Sequence, residues 1–131
     1  MKEIRAFVQP FLLDKITAAL KQLPEFPGLT VSEVRGFGRG MKMSKAHSLQ
    51  EELQEFTPKI RLEIFVRDDM VAAVVTTLCG SAHTGNRGDG KIFVLPVEEA
   101  VRVRTGERGG AAIWSDVADG GDVGGGPADG E

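Results

Sequence analysis

Tyrosine is absent from this 131-residue chain, and cysteine occurs once, as Cys79. The first absence excludes any covalent signal carried on a phenolic hydroxyl. The second excludes an intrachain disulfide, because a single thiol has nothing to pair with. Cys79 falls in an apolar helical stretch and reads as a small core residue rather than a nucleophile. No apolar run approaches the ~20 residues needed to cross a bilayer. No charged stretch followed by an apolar run opens the sequence. The expectation is therefore a cytoplasmic protein without a signal peptide and without direct membrane insertion. A basic excess is missing too. Net charge is −3, yet five acids and no base lie between Ser115 and Glu131. Residues 1–114 are close to neutral, which argues against nucleic acid as a partner.

What is present fits one domain and a tail. Residues 115–131 hold six of the 17 glycines and almost no large apolar side chains. They cannot bury enough surface to offset the entropy of ordering, so a flexible acidic tail is expected there. Within residues 1–114 the hydrophobic period changes repeatedly. Residues 2–9 read as a strand with Ile4, Ala6 and Val8 on one face. Leu13, Ile16, Leu20 and Leu23 then share a helical face, closed by Pro24, Pro27 and Gly28. Residues 29–37 read as a second strand. Residues 38–57 are polar, of mixed charge and too long for an ordinary connection, which predicts a functional loop. One or two helical turns fit residues 48–56.

Residues 59–67 alternate, with Ile60, Leu62, Ile64 and Val66 on one side. Asp68 and Asp69 are expected to cap a helix that buries Val71, Val74, Val75 and Leu78. A strand from Lys91 to Val97 follows, and "VRVR", residues 101–104, reads as a last short strand. The order β-α-β, long loop, β-α-β predicts an α+β, ferredoxin-like βαββαβ fold. Helices would cover one face of the sheet. The other face needs a cover, which closed oligomerisation of a small chain can supply.

Three stretches suggest anion chemistry. "TGNRGDGKIF", residues 84–93, places three glycines, Arg87, Asp89 and Lys91 in and beside one turn. Gly88 and Gly90 can take positive φ and expose N–H groups, and successive N–H groups make an anion nest. Taken alone, the loop is equally a glycine-rich turn with solvated cations. In "VRVRTG", Arg102 and Arg104 would point to one side of a strand, where two guanidiniums suit phosphate oxygens. Alone, they are as readily the protective charges of an edge strand. "GFGRG", residues 36–40, is a third glycine-rich element. Together the three favour a polyphosphate ligand.

These stretches resemble the PII signal-transduction proteins, the nitrogen-regulatory family. "TGNRGDGKIFVLPV" looks like the family's B-loop and "VRVRTGE" like its C-loop. "TVSEVRGFGR" and "PKIRLEIFV" resemble the strands that enter and leave its T-loop. The resemblance spans residues 1–113, with the T-loop near 38–57, the B-loop at 84–91 and the C-loop at 102–109. It implies a homotrimer with a central barrel-like sheet core and projecting T-loops. It implies that ATP or ADP, with AMP as an alternative, binds between subunits. Lys91, Arg102 and Arg104 match the phosphate-binding cations. Gly36, Gly38, Gly88, Asp89 and Gly90 match the backbone and ribose contacts of that site, and Arg39 is expected among its nucleotide-binding residues. Thr30, Glu63 and Thr84 match positions around the adenine or its ribose. The T-loop, here with Met41, Met43, Ser44, His47 and Glu52, would contact a membrane transporter or a regulated enzyme.

The chain departs from the family pattern in two places. Gly40 stands where the family has a glutamine that helps hold Mg²⁺ and 2-oxoglutarate. A glycine offers no side-chain ligand, which argues against the usual 2-oxoglutarate response and leaves the part of Mg²⁺ open, although Lys59 matches the partner of the 2-oxoglutarate carboxylate. Glu52 stands at the family's modifiable tyrosine, so uridylylation there is chemically excluded. Two other readings remain. Met41, Met43 and His47 are soft-metal donor types and would suit a metal-responsive accessory of a transport system, though no metal site is assigned. A slow ATPase is the other, but no glutamate or histidine is placed to activate water. His83 reads as structural, so the expectation is a regulator rather than an enzyme.

Overall fold

The computed structural model describes residues 1–38 and 56–113. Strand β1 (Lys2–Val8) runs through a 3₁₀ turn at Pro10–Leu12 into helix α1 (Leu13–Lys21). Pro10 suits this junction, since a first helical position needs no N–H donor. Strands β2 (Thr30–Gly36) and β3 (Thr57–Val66) follow, then helix α2 (Val71–Ala82), strand β4 (Lys91–Pro96) and the short helix α3 (Gly110–Ile113). The strands form one antiparallel sheet in the order β2-β3-β1-β4. This is the expected α+β arrangement, with both central strands donated by the two most regularly alternating segments.

Register explains the core. Ile4 lies opposite Ile64 on one side and Val94 on the other; Ala6 lies opposite Leu62, and Val8 opposite Ile60. Because side chains alternate along a strand, pairing these residues puts all of them on one face. Helices α1 and α2 cover that face with Ile16, Leu20, Val74 and Leu78, all fully buried. Burial of each such side chain stabilises by roughly 1.5–3 kcal/mol relative to exposure.

The opposite face carries Glu3, Arg5, Phe7, Arg61, Glu63, Phe65 and Phe93. Arg5 grips Glu3 with two hydrogen bonds, of 2.9 and 3.0 Å, and approaches Glu63 at 3.9 Å. Arg61 Nε is buried and meets no acceptor among the described residues. Phe65 and Phe93 remain exposed.

Three expectations are corrected. "VRVR" is not a strand: Val101 makes an isolated bridge to Arg108, and the chain turns at once, with the Gly106 N–H donating to the Arg102 carbonyl at 2.7 Å. Gly106 and Gly109 both have positive φ, which breaks the extended run that two valines would favour. Asp68 and Asp69 do not cap α2 with their side chains; they lie in a 3₁₀ turn, and Asp68 instead accepts from the Met1 amino group at 2.8 Å. Cys79 is exposed. It follows buried Leu78 and sits at the margin of the apolar stripe, beyond half-buried Val75. The helical turns expected near 48–56 and the tail at 115–131 fall in, or almost wholly in, the part of the chain outside the described residues.

Candidate functional site

The loop between α2 and β4, residues 83–90, is built around one carboxylate. Asp89 accepts from the Thr84 N–H at 2.7 Å and the Gly85 N–H at 2.8 Å through Oδ2, and from the Thr84 hydroxyl through Oδ1. His83 Nδ1 stands 3.7 Å away. The Thr84 hydroxyl bond, then the backbone bonds and nearby His83, hold the Asp89 carboxyl below the usual carboxylate range. Asp89 and Thr84 are thus occupied with each other. With the acid turned inward, Arg87 and Lys91 point out from the same loop, both exposed.

Gly90 makes the loop's seat. Its φ is +110°, and a Cβ placed on it would stand 1.7 Å from the carbonyl oxygen of Phe7. Only a residue without a side chain lets the loop backbone lie directly on β1. Gly88, with φ +90°, would point a Cβ at Gln9 Nε2 and Lys59 Nζ, at 3.1 and 3.3 Å. The Lys59 ammonium donates to the Gly88 carbonyl, which ties β3 to the loop.

These contacts frame a cavity of about 760 Å³ on the open side of the sheet. One wall is the loop: Arg87, Gly88, Gly90 and Lys91. The facing wall is the outgoing end of β2 and the start of β3: Arg35, Gly36, Phe37, Gly38, Thr57 and Lys59. Phe7, Phe93, Val34 and Gln9 complete the lining. The Phe7 and Phe93 rings meet edge to face with centroids 6.2 Å apart. The cavity therefore combines aromatic rings, cations and glycine backbone in one lining, with Phe7 directly opposite Lys91 in the sheet. Such a lining suits a ligand that carries both a flat ring and anionic oxygens.

Gly36, Gly38, Gly88, Gly90 and Lys91 were all expected at the site and all line this cavity. Thr84 and Asp89 do not line it; they shape its loop. Thr30 and Glu63 lie opposite each other in the β2–β3 register, with Glu63 facing Arg5. Arg102 and Arg104 are not part of the cavity within this chain. Arg102 instead holds its own segment: Nη2 donates to the Ala111 carbonyl at 2.9 Å, and Nε lies 3.6 Å from Glu107. Arg104 is exposed. Arg39, Gly40, Met41, Met43, Ser44, His47 and Glu52 lie outside the described residues. No group of three His, Cys, Asp or Glu side chains arranged for a metal occurs among the described residues. Phe7, Gln9, Val34 and Phe93 escaped the sequence reading. Phe7, Gln9 and Phe93 carry a signal in their phase, alternating with core-facing Ala6, Val8 and Ile92, whereas Val34 lies in a strand with no buried residue; only the sheet order brings β1 beside β4.

The family model described as nitrogen regulatory protein P-II matches residues 1–107. The chain is 44% identical over 113 residues to a nitrogen regulatory protein P-II of Azospirillum brasilense, covering 86% of this chain and all of that protein. It is 42% identical over 113 residues to the corresponding protein of Rhodospirillum rubrum, with the same coverage. It is 44% identical over 113 residues to nitrogen regulatory protein P-II 1 of Escherichia coli strain K12, again across the whole of that protein.

Proposed function

The chain belongs to the nitrogen regulatory protein P-II family, and from that premise we propose that it is a signal-transduction regulator that binds adenine nucleotides and acts on a partner protein. The observation that carries the nucleotide reading is the combined lining of the cavity. Phe7 and Phe93 offer ring faces and edges to a base, while Lys59, Arg87, Lys91 and the backbone of Gly88 and Gly90, in the same lining, suit phosphate oxygens. ATP and ADP compete for this site, and AMP, with fewer phosphates, makes fewer anionic contacts there.

The same reading makes the chain a homotrimer with sites between subunits. Its support is the uncovered sheet face with exposed Phe65 and Phe93 and the unmatched Arg61 Nε, together with the position of Arg104, which is free to reach a neighbouring copy. Residues 38–57 supply the partner contact, through Met41, Met43, Ser44, His47 and Glu52, to a transporter or an enzyme. With Gly40 in place of a side-chain ligand, 2-oxoglutarate has little effect on nucleotide affinity.

Calorimetric titration with ATP, ADP and AMP, with and without Mg²⁺ and 2-oxoglutarate, tests the proposal. Saturable binding, weakened at least about tenfold in Lys91→Ala, is the expected result; a tenfold change corresponds to ~1.4 kcal/mol, within the range of a charge-assisted contact. Absence of heat at millimolar nucleotide would overturn it. A mass measurement tests the trimer separately.

A further inference from the structure

The two sides of the β2–β3 hairpin do not separate at their last paired residues. Gly36 lies opposite Thr57, and the Thr57 hydroxyl donates to the Gly36 carbonyl at 3.2 Å. One step further out, the Phe37 and Phe56 rings pack at a tilt of 39° with centroids 5.5 Å apart. Both are partly exposed, at 37% and 39%, so neither belongs to the core. Phe37 lines the cavity between Gly36 and Gly38, whereas Phe56 does not. Two flanking glycines give that wall little stiffness of its own, because glycine backbone has the widest conformational range.

We infer that Phe56 is a positioning residue for the ligand cavity: by packing on Phe37 it fixes the Gly36–Gly38 wall that faces Lys91 and Gly88. The ring pair replaces the stiffness that the glycines remove. Ligand backbone contacts along Gly36 and Gly38 then form without the ligand having to order that wall. This inference rests on the nucleotide reading of the cavity for its ligand, but not for its structural content.

The test is a double-mutant cycle read by ATP titration. Phe56→Ala, though outside the cavity, weakens ATP roughly two- to tenfold, the range set by the energy of one aromatic pair. Phe56→Tyr keeps the ring and restores affinity to within about twofold. Phe37→Ala with Phe56→Ala binds no more weakly than Phe37→Ala alone, because the pair acts as a unit. Unchanged affinity in Phe56→Ala, or losses that multiply in the double variant, would overturn the inference. Melting curves check that all variants fold.

Amide exchange at Gly36–Gly38 in the free chain separates this inference from the nucleotide reading. Faster exchange in Phe56→Ala, reversed in Phe56→Tyr, supports the positioning role even if no nucleotide binds. Identical exchange in all three proteins, with no ATP binding by any, overturns both readings.

Discussion

In residues 83–90 the organising group is an anion, Asp89; in residues 101–113 it is a cation, Arg102. Both segments are glycine-rich, and both suggest phosphate binding when read as sequence. In the first, the carboxylate gathers backbone N–H groups and leaves Arg87 and Lys91 facing the cavity. In the second, the guanidinium takes the Ala111 carbonyl and the Glu107 carboxylate and leaves only Arg104 unengaged by its own loop. The lesson is that a charged residue in a glycine-rich loop has two uses, and the sign of the hub decides which charges remain for a ligand.

The glycines break the comparison most sharply. Gly90→Ala drives a Cβ into the Phe7 carbonyl and should destabilise by about 3 kcal/mol or more, seen as a shifted denaturation midpoint. Gly106→Ala, at φ +76° with nothing within 4 Å of its Cβ position, should lose only about 1 kcal/mol. Equal losses would mean that both loops are merely draped on the sheet. Next come the cations. In the proposed trimer Lys91→Ala should weaken ATP at least about tenfold (~1.4 kcal/mol), and Arg104→Ala by a smaller factor, measured by titration. An Arg104 effect as large as that of Lys91 would show that the second loop contributes as directly as the first.

The hubs can be compared next. Arg102→Ala removes the bond to the Ala111 carbonyl, and about 1 kcal/mol of stability should go with it. The loss should appear as faster amide exchange across residues 101–113 and not across 83–90. The smallest effect is a pH response. The Asp89 carboxyl is depressed in the folded chain, so its contribution is complete above the ordinary carboxylate range and disappears as pH falls through the depressed folded value. Acidification should therefore release the Thr84 and Gly85 amides, followed by exchange or chemical shift. The Arg102–Ala111 bond should survive, since its acceptor is a backbone carbonyl and not a carboxylate.

Much of the fold is legible because the alternation is strict. Ile4, Ala6 and Val8, and Ile60, Leu62, Ile64 and Val66, leave no competing register, since a slip of one residue would expose the whole set. Ile16 with Leu20, and Val74 with Leu78, orient the helices in the same way. "VRVR" misleads because alternation over four residues is too short a signal against the positive-φ glycines that follow. Cys79 misleads because it sits where the stripe of α2 fades. At the site, the glycines and Lys91 are legible through their local chemistry. Phe7 and Phe93 are not, because they become neighbours only when β4 pairs with β1. The local partner of Arg102 is illegible for a related reason: its acceptor, the Ala111 carbonyl, leaves no trace in side-chain composition.

The close seating of Gly90 on the Phe7 carbonyl has a mechanical consequence. The next residue, Lys91, is already paired with Phe7 in the sheet. The loop is therefore clamped at its base, and it cannot hinge outward without prising β4 from β1. The cation at that clamp behaves like the fixed jaw of a caliper. It stays in place, so any change in the gap between the jaws is read on the opposite one, the Gly36–Gly38 edge.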